Sequence, residues 1–200
     1  GMTAPHQAWL PPIALFDGVL GARALARARL WSKRWLRSTK NVSLKIAAGG
    51  HHPAACSSAW GTRCGGLALG LEQDALLRLA CALLNIRKLP RKASAADVRL
   101  LHAVSEACMR DLLCELMAGL ELSREIGPLA APDLRELGRD AAMRFTVSVP
   151  VLAKSFDVHL SQDMAVSARK AQIAAAREPR SLGSLRSAIE AQEINVGACI

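Results

Sequence analysis

Leu20, Ala24, Ala28, Trp31 and Trp35 recur at spacings of four, four, three and four, which places them on one stripe of a helix over residues 18–37. Arg23, Arg27, Lys33, Arg34 and Arg37 cover the rest of that helix. Val42 to Ala47 alternates apolar and polar positions, as a short half-buried strand does. Ala59 to Leu71 is strand-like and rich in Gly, and residues 72–86 read as a helix with Leu76, Leu79, Ala80, Leu83 and Leu84 inward. The strongest helix opens at Ser94 or Ala95, where Asp97 suits the positive end of the helix dipole, and runs to about Leu120 or Leu122. Val98, Leu101, Val104 or Ser105, Cys108, Leu112, Glu115 and Leu116 track one side of it. Leu100, Ala103, Ala107 and Leu113 widen that side, and so broad a stripe implies a central helix packed on more than one neighbour. Gly127-Pro128 and Ala131-Pro132-Asp133 break the chain, and Leu134 to Ala142 forms at best a short helix. Arg144 to Pro150 and Ser155 to Leu160 alternate cleanly, with Phe145, Val147 and Val149 on one face of the first and Phe156, Val158 and Leu160 on one face of the second. These two runs predict a hairpin. Met164 to Arg177 reads as an Ala-rich helix or extended arm, 178–184 as a linker, and Ile194, Val196 and Ala198 as a strand pattern.

Strands come in runs separated by runs of helix, without regular βαβ alternation. That order predicts an α+β fold of small antiparallel or mixed sheets with long central helices. Three segments follow from the pattern: a basic, Trp-containing arm over 1–40, an α+β core domain over 41–178, and a linker with a strand over 179–200.

Composition adds a core and an asymmetry. Hydrophobic residues make up 51% of the chain, but there are four Trp, three Phe and no Tyr, so the core must be mostly Leu, Ala and Val. The net charge is +9. From Gly18 to Leu71 there is no Asp or Glu, while Arg23, Arg27, Arg29, Lys33, Arg34, Arg37, Lys40, Lys45 and Arg63 supply nine positive charges. The remainder of the chain balances to zero. Such an asymmetry points to an anionic partner for the arm: an acidic protein, a membrane face or nucleic acid. The candidate contact residues are Arg27, Trp31, Arg34, Trp35 and Arg37, with Ile194 and Val196 on a terminal strand that could pair with another chain by edge addition. The plainer reading is a helix that lays its Trp stripe on the body and shows a solvated charged face outward. No run of 18 apolar residues exists, and Pro11, Pro12 and Asp17 interrupt the only signal-like stretch, so the protein is expected in the cytoplasm. The six Cys show no tight pairing and read as small buried hydrophobes.

Candidate chemistry is thin. His51, His52, Cys56 and Cys64 are spaced as H-H-x3-C-x7-C, which fits no zinc pattern. Gly65-Gly66-Leu67-Ala68-Leu69-Gly70 lacks the Lys and hydroxyl residue of a phosphate loop. No G-x-S-x-G occurs. His102 reads as a partly exposed or satisfied helix residue, and His159, alternating with Val158 and Leu160, is expected to face solvent. The residues therefore predict no catalytic group, no metal and no cofactor. Binding of nucleic acid through Lys33, Arg34, Arg37, Trp31 and Trp35 is the alternative, although no recognition helix stands out.

Trp60 to Leu71 (WGTRCGGLALGL), the Leu-rich helix from Ala75 to Leu84, and Ala96 to Ala107 (ADVRLLHAVSEA) together resemble the N-terminal region of the type III secretion Q component. That family comprises the HrcQ/YscQ-type cytoplasmic ring proteins, related to the flagellar motor switch protein FliM. Ser184 to Ile200 resembles the opening of the SpoA-type module that follows in the family, so the likeness covers roughly residues 42–200. The resemblance implies a fold like the FliM middle domain and CheC, followed by the start of a SpoA-like strand segment. It also implies a non-catalytic scaffold of the cytoplasmic ring or sorting platform, peripheral to the inner membrane. Implied partners are a stalk adaptor, the ATPase regulator, export chaperones, a SpoA-containing partner, and copies of the chain itself. A relative would continue through complete SpoA modules, whereas this sequence stops within the first. The related CheC-type phosphatases would need Glu and Asn where Leu101 and Val104 stand if Asp97 leads the motif, so the chain resembles the scaffolding branch.

Overall fold

A computed structural model describes residues 18–48, 56–62, 65–70, 73–88, 92–122, 127–128, 141–152 and 154–177. In chain order the elements are α1 (Val19–Leu36), β1 (Ser43–Ala48), β2 (Cys56–Thr62), β3 (Gly65–Gly70), α2 (Gln73–Leu83), α3 (Ala95–Gly119), β4 (Gly127–Pro128), β5 (Ala141–Val149), a 3-10 turn (Pro150–Leu152), β6 (Lys154–Ser161) and α4 (Gln162–Arg177). The fold is α+β. The strands form one antiparallel sheet in the order β1-β5-β6-β3-β2-β4, in keeping with the α+β class expected from the order of helix and strand runs. Every neighbouring pair is antiparallel.

The β5–β6 hairpin has the register that its alternation requires: Phe145 stands opposite Val158, and Val147 opposite Phe156. These four side chains are buried with Leu67 and Leu69 of β3, so the centre of the sheet presents one apolar face. The run from Ala59 to Leu71 is two strands, not one. β2 and β3 pair with Thr62 opposite Gly65, and only residues 63–64 lie between them. Gly65 makes this possible. Its φ of +137° is one that side-chain-bearing residues rarely adopt, and a Cβ there would stand 2.6 Å from Ser161 Oγ.

The apolar face is covered by helices. Leu20, Ala24, Ala28 and Trp31 of α1, Ala75, Leu76 and Leu79 of α2, and Leu101, Cys108, Met109, Leu112, Leu113, Leu116 and Met117 of α3 are buried in one cluster with the strands. The division at residue 40 needs correcting accordingly: α1 is part of the core and not an arm beside it. The breadth assigned to α3 also needs correcting. Leu100 is 61% exposed, and Ala103 and Ala107 are exposed, whereas Met109 and Met117 are fully buried. The first turns of α3 bury one side only; from Cys108 onward α1 packs alongside and a second flank closes. Leu84, expected inward, is 46% exposed because α2 ends at Leu83.

Helix boundaries follow local chemistry. Ser94 caps α3 by accepting from the Asp97 amide, and the Asp97 carboxylate accepts from the Ser94 amide in return. Hydrogen bonds donated to the Asp97 carboxylate, first by the Ser94 hydroxyl and then by the Ser94 amide, hold that carboxyl below its usual range. Arg37, Asn85 and Glu121 end α1, α2 and α3 in the left-handed region, with φ of 55°, 55° and 59°.

His159 departs from its expected exposure. It does lie on the opposite parity from Val158 and Leu160, but it is only 5% exposed. Alternation assigns a side chain to a face of the sheet and leaves open what lies over that face. Arg144 stands opposite it on β5, and burial pushes the imidazole below its usual range. Of the other sequence-based expectations, the Gly49–Pro53 loop, the helix from Leu134 (apart from Ala141 and Ala142, which open β5), and residues 178–200 with Ile194 and Val196 lie outside the described residues.

Candidate interaction surface

α1 packs along α3, and the residues that join them run in opposite directions. Arg23 pairs with Glu121, Arg27 with Glu115 and Arg34 with Asp111, so numbers rise on α1 as they fall on α3. The two helices are antiparallel neighbours. Their closest approach is set by small residues: a Cβ on Gly119 would stand 3.2 Å from Ala24 Cα and 3.3 Å from Ala24 N. Because α1 meets α3 through backbone at that point, the long side chains above and below can reach across.

Trp31 is the anchor. It is fully buried, its Nε1 donates to the Cys108 carbonyl at 2.9 Å, and its ring meets Phe156 edge-on with centroids 6.3 Å apart. Burial pushes the neighbouring Cys108 thiol up to about 12. Trp35, one helical turn on, is half-buried and donates from Nε1 to Asp111 Oδ2 at 2.6 Å. Arg34 also donates to Asp111, from Nε at 3.0 Å and Nη2 at 2.6 Å, and to Glu115 at 3.1 Å. Hydrogen bonds donated to Asp111 and then to Glu115 hold the Arg34 guanidinium more firmly protonated than usual. Arg27 reaches Glu115 at 3.5 Å and Arg23 reaches Glu121 at 2.5 Å. Ion pairs this open to solvent contribute about 0–1 kcal/mol each. They orient the pair of helices, while burial of Trp31 and the small-residue crossing hold it.

The contact residues expected from sequence therefore separate into three groups. Trp31 cannot meet a partner directly, and that expectation is corrected: its ring and its N–H are both engaged inside the core. Arg27, Arg34 and Trp35 face α3, where the two arginines pair with Asp111 and Glu115 and Trp35 donates to Asp111, although Arg34 keeps half of its side chain exposed. Arg37 is exposed at the end of α1. Ile194 and Val196 lie outside the described residues. Sequence reasoning missed the acids of α3. Glu115 was assigned to the apolar track of its helix, yet Asp111 and Glu115 at i, i+4 spacing, set against Arg27 and Arg34, already carried the signal of a facing helix.

Five other cations of the stretch from α1 to β1 stay outside this clasp. Arg29, Lys33, Arg37, Lys40 and Lys45 are exposed, and none has an acidic partner among the described residues. No described cluster of three or more His, Cys, Asp or Glu could hold a metal ion. His51, His52 and Cys64 lie outside the described residues, and Cys56 opens β2. No described helix is long and apolar enough to cross a membrane.

No protein-family model and no curated protein matches the sequence. Solved structures do. FliY of Thermotoga maritima superposes with a TM-score of 0.51 at 11% identity, over 86% of this chain and 98% of that one. The chain has the fold of FliY. A chain of the FliG–FliM complex from H. pylori gives a TM-score of 0.44 at 12% identity, covering 73% of this chain and 96% of its own. The FliM middle domain from Vibrio alginolyticus gives 0.43 at 13% identity, covering 76% and 97%. At these identities the likeness concerns the fold.

Proposed function

We propose that the chain is a non-catalytic scaffold subunit of the cytoplasmic ring, or sorting platform, of a bacterial type III secretion apparatus, and that it works by holding partner proteins. The observation that carries the proposal is how α3, the central helix, uses its polar groups. Asp97 is engaged in the N-terminal cap, Ser105 donates to the carbonyls of Leu101 and His102, and Asp111 and Glu115 are taken by α1. Leu101 faces the core and Val104 is half-buried, where a water-positioning acid and amide would stand in a CheC-type phosphatase. Every polar group named here maintains the fold, and none is left to orient a water. The FliY fold supports the scaffold part of the reading, and the choice of secretion over motility rests on the sequence resemblance to HrcQ/YscQ-type proteins. In this reading the protein is cytoplasmic and peripheral to the inner membrane, residues 179–200 begin a SpoA-like module, and its partners are the stalk adaptor, the ATPase regulator and other ring subunits.

Nucleic-acid binding is the weaker reading because Trp31 and Trp35, its stacking residues, are engaged with α3. Pairwise two-hybrid and co-purification assays against the ring, stalk and ATPase-regulator subunits of the encoding bacterium test the proposal. Specific binding to at least one of them is expected. Binding to none, with submicromolar affinity for random duplex DNA at near-physiological salt, would overturn it.

A further inference from the structure

α3 leaves five cations of α1, the turn after it and β1 uncompensated. Arg29 and Lys33 are exposed one turn apart on α1, Arg37 is exposed at its C-terminal end, Lys40 in the turn that follows, and Lys45 on β1. The sequence holds no acid between Gly18 and Leu71, so nothing local balances them. β1 is the last strand on its side of the sheet among the described residues. It pairs with β5 on one side, and no described strand takes up its outward N–H and C=O groups. The pleat sorts its side chains. Leu44 and Ile46 are half-buried against the core, and Ser43 and Lys45 are exposed on the other face.

We propose that the free edge of β1 takes up an extended acidic segment of a partner protein as an added strand. The proposal rests on the scaffold reading above and gives the chemistry of one partner. A strand paired to β1 presents alternate side chains to the two faces of the sheet. On one face it covers Leu44 and Ile46 with apolar side chains. On the other it sets carboxylates beside Lys45, and acids flanking it reach Lys40 and Arg37.

Other occupants fit less well. A second copy joined antiparallel about Lys45 would set Lys against Lys, and like charges directly opposite are destabilising. Among the described residues nucleic acid would find cations on α1 and β1 but no free stacking ring there, since Trp31 is buried and Trp35 is half-buried on Asp111. A membrane would find Leu30, 50% exposed, as the one large apolar side chain more than a third exposed on α1 among the described residues, too little to anchor an interfacial helix.

The test uses the full chain and a fluorescein-labelled decapeptide of alternating Glu and Val, followed by anisotropy at near-physiological salt and by amide hydrogen exchange. Binding is expected, with exchange of the β1 amides that face away from β5 slowed about tenfold or more. Lys45→Glu and, separately, Lys40→Glu should each weaken binding by about tenfold or more, with an unchanged circular dichroism spectrum. An alternating Glu–Pro peptide keeps the charge but loses the valine side chains and every second backbone N–H, and it should bind more weakly by about tenfold or more. Equal binding of the Glu–Pro peptide, indifference to both reversals, protection on another element, or tighter binding of duplex DNA or of anionic phosphatidylglycerol vesicles would each overturn the proposal. If the peptide fails while ring or stalk subunits still bind, the docking edge falls and the scaffold reading stands. If the peptide binds as expected and those subunits do not, the scaffold reading falls alone.

Discussion

Trp31 shows what a single side chain does here and how far its role could be read beforehand. The spacing from Leu20 to Trp35 placed it on an apolar stripe, but the pattern could not say whether that stripe met this chain or another. The deciding fact, its hydrogen bond to the Cys108 carbonyl, joins residues 77 apart in sequence and leaves no local trace. Trp31→Phe keeps an aromatic contact with Phe156 and removes the donor, so it should lower unfolding free energy by about 1–2 kcal/mol. Trp31→Ala should lower it by about 3–5 kcal/mol, both read from urea denaturation. His159 makes a second prediction. Its pKa is lowered in the fold, by burial first and by the Arg144 charge as well, against an opposing pull from Asp157. The unfolded chain therefore takes up this proton at higher pH than the native one. His159 leaves stability unchanged above about pH 6.5, the usual His value, and reduces it as pH falls below that, by no more than about 1.4 kcal/mol per pH unit. Urea midpoints measured from pH 8 to pH 5 check this, and His159→Gln should flatten the slope.

Among the elements, boundaries were legible wherever a residue of fixed habit marked them. Ser94 and Asp97 announced the start of α3, and the alternation around Phe145 and Phe156 announced the β5–β6 hairpin. The division of the Gly-rich run into β2 and β3 was not legible, because Gly carries no pattern of apolar and polar faces. Nor was the antiparallel pairing of α1 with α3, since Gly119 reads in isolation as a weak point in a helix. In the structure it is the place where two backbones meet. Gly119→Val would bring its first side-chain carbon to 3.2 Å from Ala24 Cα and force the remaining methyls into α1. A loss of roughly 2–4 kcal/mol is expected from overpacking against backbone that cannot yield. A calorimetric melt of the variant checks this; a melting temperature equal to or above that of the unaltered chain would contradict the crossing geometry.

For the whole molecule, the class of fold was readable from the order of helix and strand runs, but the order of strands in the sheet was not. Pairings such as Leu67 with Leu160 and Leu44 with Val147 span the length of the domain and depend on packing that no local window contains. Setting α1 apart from the core, as the segment boundary at residue 40 does, missed its packing for the same reason: charge marked the segment off while its apolar stripe tied it in. Deleting residues 1–41 should therefore abolish the cooperative unfolding transition followed by circular dichroism, because it removes Leu20, Ala24, Ala28 and Trp31 from the core. A removable arm would leave the transition in place. The strand order carries one more consequence, for how the protein is made. Among the described strands β5 and β6, which join the two halves of the sheet, leave the ribosome last; β2 and β3 can pair with each other as they emerge, but β1 and the other edge of β3 have no partner until then. The domain cannot be completed from its first residue forward; the early hairpin must wait, exposed, until translation has passed Ser161.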